Sequence, residues 1–153
     1  MSGCSIVLRE GLRSDGYALW LWANDPETRR ASFGRELIPW DVHIEWLERT
    51  LSDPSALLLI GDVRGQPVGS IRFDSRDHWR TARLSYVVAP ESRGRGFSRP
   101  IMSQGVQWLR RCHPAATVHA DVVQHNERSL HLFRHAGWSE ESESAGVSTF
   151  WLR

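Results

Sequence analysis

The 153-residue chain is 41% hydrophobic and 24% charged, with 19 basic side chains against 18 acidic ones and a net charge of +1. These values suit one soluble globular domain over residues 1–153 and exclude a strongly basic nucleic-acid-binding protein or an acidic disordered tail. All the basic residues are arginine, which excludes a lysine Schiff base and a lysine-bearing phosphate loop.

In chain order, Ser5–Arg9 reads as a first strand. Ser14-Asp15 is placed to cap a helix over Tyr17–Ala23. Asn24-Asp25-Pro26 breaks it, and Pro26 can open the next helix. Asp41 is a cap for a helix through Leu51, with Ile44, Leu47 and Leu51 at helical spacing. Ala56–Val63 and Val68–Asp74 form a hairpin about the turn Arg64-Gly65-Gln66-Pro67. After a polar loop, Ser75–Thr81, comes a strand over Leu84–Ala89, stopped by Pro90. Arg99–Arg111 carries an apolar helical stripe. Thr117–Val123 is a β-branched strand. Asn126 caps a helix over Glu127–His135, Gly137 closes it, and Val147–Leu152 is a last strand. Strands and helices mix around one sheet, giving an α/β (α+β) domain.

No apolar run reaches the roughly 18 residues of a membrane-spanning helix. Met1-Ser2-Gly3-Cys4 lacks the basic flank and apolar stretch of a signal peptide. Cys4 and Cys112 are too few for a disulfide framework or a zinc site and read as free thiols. The expectation is a cytoplasmic protein with no bound metal and no nucleic-acid or membrane partner.

Tyr86–Arg99 carries the chemistry. A strand runs into a turn with Arg93, Gly94, Arg95 and Gly96, and a helix follows. The first N–H groups of a helix lack internal partners, its dipole is positive there, and glycines let the backbone approach a phosphate. That favours a pyrophosphate. The Walker pattern fails for want of Lys-Ser/Thr, and G-x-G-x-x-G fails because Arg99 stands at the third glycine.

The segment V-x-P-x-x-R-G-x-G-x-(small) resembles the acetyl-CoA motif of the GNAT N-acetyltransferases, with Arg93, Gly96 and Ser98 on the Arg/Gln-x-x-Gly-x-Gly/Ala signature. Downstream, Val122–Trp138 is similar to the family's second signature, with Asn126 and Ser129 on its Asn and small positions. The resemblance covers nearly the whole chain. It implies a mixed sheet of about seven strands with a splayed pair that admits acetyl-CoA. It implies that amides of Gly94, Arg95, Gly96, Phe97 and Ser98 hold the pyrophosphate, with Arg93 and Arg99 adding charge. Tyr86, Val87 and Val88 would offer backbone groups to pantetheine, and Asn126, Ser129 and Phe133 would face the cofactor.

The implied reaction is direct acetyl transfer to a primary amine. Val88 N–H would stabilise the oxyanion. Asp121 stands where a Glu acts as base in ribosomal-protein alanine acetyltransferases. The family's usual Tyr acid is replaced by Phe133, which leaves open a CoA-binding regulatory module without turnover. Trp22, Arg29, Phe33, His43 and Trp46 fall in the half that forms the acceptor wall in this family. Their pattern resembles both ribosomal-protein N-terminal and nucleotide-amino-sugar acetyltransferases, and the expected acceptor is a small amine such as an amino sugar. Dimers are common in the family, so a homodimer is one partner this reading allows.

Overall fold

A computed structural model describes residues 5–153, with every side chain among them except those of Ser142 and Glu143. Met1-Ser2-Gly3-Cys4, and the reading of a missing signal peptide with it, lies outside the described residues. Among the described residues no helix is long and apolar enough to cross a membrane, and Cys112 is a free, exposed thiol.

The chain runs β1 (Val7–Glu10), α1 (Gly16–Ala23), α2 (Pro26–Arg30), α3 (Trp40–Ser52), β2 (Ala56–Val63), β3 (Gln66–Asp74) and β4 (Thr81–Val88). It continues through α4 (Ser98–Cys112), β5 (Thr117–Val123), α5 (Glu127–Arg134), β6 (Ser139–Ser144) and β7 (Val147–Leu152). One sheet in the order β1-β2-β3-β4-β5-β7-β6 holds all the strands. Every pair is antiparallel except β4 and β5, which run parallel because α4 crosses between them.

Both faces of the sheet are covered, so the central strands read as continuous apolar runs rather than alternating ones. Leu59, Ile71, Phe73, Leu84 and Val118 bury one face against Ile101 and Leu109 of α4 and Phe133 of α5. Leu58 and Ile60 bury the other against Leu19 and Trp22 of α1 and Leu47 of α3. Phe133, a few ångströms from Phe150 and Trp138, is 1% exposed.

Several sequence expectations shift. Asp15 does not cap α1 with its side chain. Its carboxylate takes two bonds of 2.8 Å from Arg9 and one of 2.7 Å from Leu12 N–H. That ties β1 to the start of α1, and the guanidinium holds the carboxyl below its usual range against the opposing effect of burial. Asp41 sits inside the first turn of α3, whose N-cap is Pro39. The β2–β3 turn is only Arg64-Gly65, both at positive φ. β6 was not foreseen as a strand: Ser139–Ser144 is all Ser and Glu, with no alternating apolar residue to mark it. It pairs with β7 at the edge of the sheet, where acidic side chains discourage further pairing.

α4 lies close on β3 because two glycines allow it. A Cβ on Gly69 would meet Val87 O at 2.6 Å and Ile101 Cδ1 at 2.8 Å, and one on Gly105 would meet Ile71 Cδ1 at 2.7 Å. The first obstacle includes backbone; the second is the flexible end of a side chain. Gly69→Ala is expected to destabilise by about 2–3 kcal/mol and Gly105→Ala by about 1 kcal/mol, within the range of overpacked cores. Urea unfolding midpoints check the order; a Gly105 cost above that of Gly69 contradicts it.

Candidate active site

β4 and β5 pair only over Thr81–Arg83 against Thr117–His119. From Leu84 onward the strands part and a wedge opens. The β3 register shows which way the backbone of β4 faces there. Ala89 N–H donates to Val68 O at 2.8 Å, and Val88, Val87, Tyr86 and Ser85 stand opposite Gly69, Ser70, Ile71 and Arg72. Antiparallel strands exchange bonds at every second pair. Val87 and Ser85 therefore bond to β3, while Tyr86 and Val88 turn their N–H and C=O toward a β5 that has moved away. This corrects the expectation for Val87, whose backbone is committed to Ser70; only its side chain borders the site.

The loop after β4 supplies the second element. A short 3-10 turn, Pro90–Ser92, ends at Arg93, and Gly94 and Gly96 then take φ values of 75° and 79°. Only glycine adopts that conformation without strain. Phe97, 7% exposed, anchors the loop, and the Arg95 guanidinium lies 5.3 Å over its ring. No side chain caps α4; Ile101 N–H is the first to reach back, at 3.1 Å to Phe97 O. The amides of Ser98 and Arg99 are thus left without helical partners, and Pro100 has no N–H to offer. A Cβ on residue 94 or 96 would meet no heavy atom within 4 Å, and Gly94, Gly96, Phe97 and Ser98 all line a cavity. A pyrophosphate fits such a cradle.

A cavity of about 430 Å³ joins wedge and loop, lined by Tyr86, Val88, Gly94, Gly96, Asn126 and Ser129 among others. A smaller one of about 180 Å³ runs on between β4 and β5, bordered by Tyr86, Asp121, Asn126, Ser129 and Phe133. Across β4, a third of about 490 Å³ lies under α1 and α3, lined by His43, Trp46, Arg72 and Val87 among others. Tyr86 borders all three.

Asn126 caps α5 by accepting from Ser129 N–H at 3.3 Å and still lines the wedge, so both expected roles fit one geometry. Ser129, buried, places its Oγ 2.8 Å from the Tyr86 hydroxyl. Burial pushes the Tyr86 hydroxyl above its ordinary pKa, although Ser129 opposes the shift. Asp121 accepts from Thr149 Oγ1 at 2.8 Å and lies 3.6 Å from Arg83 Nε.

Other expected site residues have different work. Arg93 does not turn to the phosphates: it bonds Asp25 at 2.7 Å, Glu27 at 2.9 Å and Thr28 Oγ1 at 2.8 Å, tying the loop to α2. Arg99 points away, 3.4 Å from His135 O. Phe133 is core, with only an edge on the smaller cavity. Trp22, 4% exposed, belongs to the α1–α3 core. Arg29 reaches the acceptor-side cavity, but its Nε donates to Ala23 O at 2.6 Å and its Nη1 to Gly34 O at 3.0 Å, which holds the α2–α3 loop. Phe33, exposed, stacks with Arg83 beside Asp121 and not in that cavity. His43 and Trp46 do line it. His43 bonds Gly16 O through Nε2 at 2.9 Å, and burial holds its pKa below the usual value.

Sequence reading missed one wall entirely. Glu27, Thr28, Ala31 and Ser32 of α2 and its exit close the larger wedge cavity, as does Arg128. α2 is held there from two sides, by Arg93 and by His125 Nε2 on Arg30 O at 2.5 Å. Those contacts span 66 and 95 positions. The local signs were Asp25, which caps α2 by accepting from Thr28 N–H, and Pro26 in its first turn.

Solved structures share this fold. Spermidine N-acetyltransferase from Vibrio cholerae, in complex with CoA and spermine, superposes with a TM-score of 0.85 at 18% identity, over 96% of this chain and 94% of that one. Ribosomal-protein-alanine N-acetyltransferase from Brucella melitensis gives 0.80 at 20% identity, over 95% and 98%. A putative acetyltransferase from Salmonella typhimurium, with its cofactor acetyl-CoA, gives 0.77 at 20% identity, over 97% and 93%. At those identities the likeness is one of fold. No curated protein matches the chain significantly. The acetyltransferase (GNAT) domain family matches residues 6–139, from the approach to β1 to the first residue of β6. With the wedge, the amide loop and α5 all inside that span, the chain belongs to the GNAT acetyltransferase family, for which acetyl-CoA is the cosubstrate.

Proposed function

We propose that the protein transfers acetyl from acetyl-CoA to the amine of a small acceptor seated under α1 and α3. One observation carries this reading: the inward-facing N–H and C=O of Tyr86 and Val88 lie in a wedge whose mouth is a loop of bare amides. An unpaired buried backbone group costs about 1–3 kcal/mol, so the wedge favours a ligand with an amide chain and a diphosphate.

Acetyl-CoA supplies the activated thioester. The amides of Gly94, Arg95, Gly96, Phe97 and Ser98 bind the diphosphate, and Arg93 holds the loop in place through α2. Tyr86 and Val88 bond the pantetheine amides. Val88 N–H donates to the carbonyl oxygen as negative charge develops on it. Asn126 and Ser129 close the side toward α5.

Asp121 takes the amine's proton through a water, from its place beside Ser85 and Tyr86 on the smaller cavity. Tyr86 fills the acid role that Phe133 cannot. Its hydroxyl holds a proton throughout the neutral range and Ser129 fixes its direction, on the α5 side of the wedge that Tyr86 lines. The reading of a module without turnover rested on Phe133 and loses that support. Neither the similar structures nor the cavity singles out an amino sugar.

Gly96→Glu places a side chain and a negative charge in the cradle. Acetyl-CoA affinity, read by calorimetry, is expected to fall at least about 100-fold, and unchanged affinity overturns the cofactor assignment. Asp121→Asn is expected to lower kcat about 100-fold, the low end of acid–base effects, with acetyl-CoA affinity retained. Equal turnover removes Asp121 as base.

Tyr86→Phe should cost kcat about 10- to 100-fold at unchanged acetyl-CoA affinity. The chain's two tyrosines are Tyr17 and Tyr86. A tyrosinate absorbance titration against the variant should show Tyr86 ionising above the ordinary phenol range. A Tyr86 that ionises near neutrality, or a variant with full kcat, removes the acid.

A further inference from the structure

The cavity under α1 and α3 has a charge pattern that acetyl transfer alone does not require. Its walls are apolar at Leu19, Ile38, Val42 and Leu58, with Trp46 beside them. Its charged lining consists of Arg29, Arg49 and Arg72, and among the described residues no Asp or Glu lines it. Arg29 is spent on backbone carbonyls. Arg72 lies 5.2 Å over the Trp46 ring and gives its Nε to Asp74 at 2.8 Å. Asp74 offsets one charge of the three. Arg49, exposed on α3, makes no ion pair among the described residues.

The cavity also has a direction. It shares Tyr86 and Val87 with the wedge, so the reacting amine belongs at that end. Arg72 stands opposite Ser85 in the β3–β4 ladder, one residue from Tyr86, and its side chain reaches from there to Trp46 of α3. Arg49 lies farther along α3.

We infer that the acceptor is an amine on an apolar body that also carries an anion, a carboxylate or a phosphate, read by Arg49 and Arg72. This rests on the transferase reading above and gives its acceptor a class. A guanidinium takes either anion through paired N–H donors, and its flat face already stacks here on an indole. A polyamine would set several like charges among these arginines. The Vibrio cholerae enzyme acts on spermidine by name; this cavity disfavours such a substrate.

The test is thiol release from acetyl-CoA with four amines: 4-(aminomethyl)benzoate, its methyl ester, 4-(aminomethyl)phenyl phosphate, and spermidine. The carboxylate or the phosphate is expected to exceed the ester at least tenfold in kcat/KM, and spermidine to be the poorest; which anion wins identifies the one the site reads. In Arg49→Gln, and again in Arg72→Gln, the ratio of anion to ester should fall toward one. Because each ratio is taken within a single preparation, a partly unfolded variant cannot imitate the loss. Ester or spermidine equal to the best anion overturns the inference while the transferase stands. An anion preference that survives in both variants overturns the role of the two arginines. No turnover with any of the amines, despite acetyl-CoA binding, overturns both readings.

Discussion

The structure turns on a strand that loses its neighbour. β4 pairs with β3 over Arg83–Val88 on one side and with β5 over only Thr81–Arg83 on the other. A strand in the middle of a sheet ordinarily spends every backbone group on its two partners. Here Tyr86 and Val88 keep theirs, inside the protein, with an amide-lined loop beside them. The free energy left unspent by those groups is the affinity the site offers to a ligand that can stand in for a strand. The remaining elements keep that gap open: α4 braced on Gly69 and Gly105 behind β3, α5 behind β5, and α2 across the mouth.

The arginines illustrate how a charge near a phosphate site need not be a phosphate ligand. Arg93 occupies a signature position of the family, yet its guanidinium lies between Asp25, Glu27 and Thr28. Charge-assisted bonds of that kind are worth about 1.5–3 kcal/mol each when partly buried, enough to hold a glycine-containing loop in one shape. The backbone amides of the loop are fixed by the fold, and the Arg93 side chain restrains them from α2. A similar division separates Arg29, which holds a loop, from Arg49 and Arg72, which leave positive charge facing a cavity.

Phe133 and Tyr86 form a second such pair. Phe133 stacks on Phe150, meets Trp138 edge to face, and serves the core. A hydroxyl appears instead on the facing strand, 2.8 Å from Ser129, one turn earlier on the same helix. The hydroxyl that α5 lacks at Phe133 is thus present on β4, on the other side of the same wedge.

Sequence alone determined what depends on neighbours along the chain. The helical stripe of α4, the apolar runs of β2 and β5, the Gly94–Gly96 turn and the Asn126 cap are local matters of spacing and dihedral freedom, and each lies where reading placed it, to within a residue or two. β6 escaped because its Ser–Glu alternation carries no apolar period; its place comes from pairing with β7. Tertiary structure alone decided which backbone groups of β4 face the gap, since that follows from the β3 register. It also decided that α2 walls the wedge cavity, that Trp22 is core while Trp46 lines a cavity, and that three arginines far apart in sequence share one pocket with no carboxylate among the described residues. Those outcomes rest on contacts between residues dozens of positions apart, and no spacing within the chain encodes them.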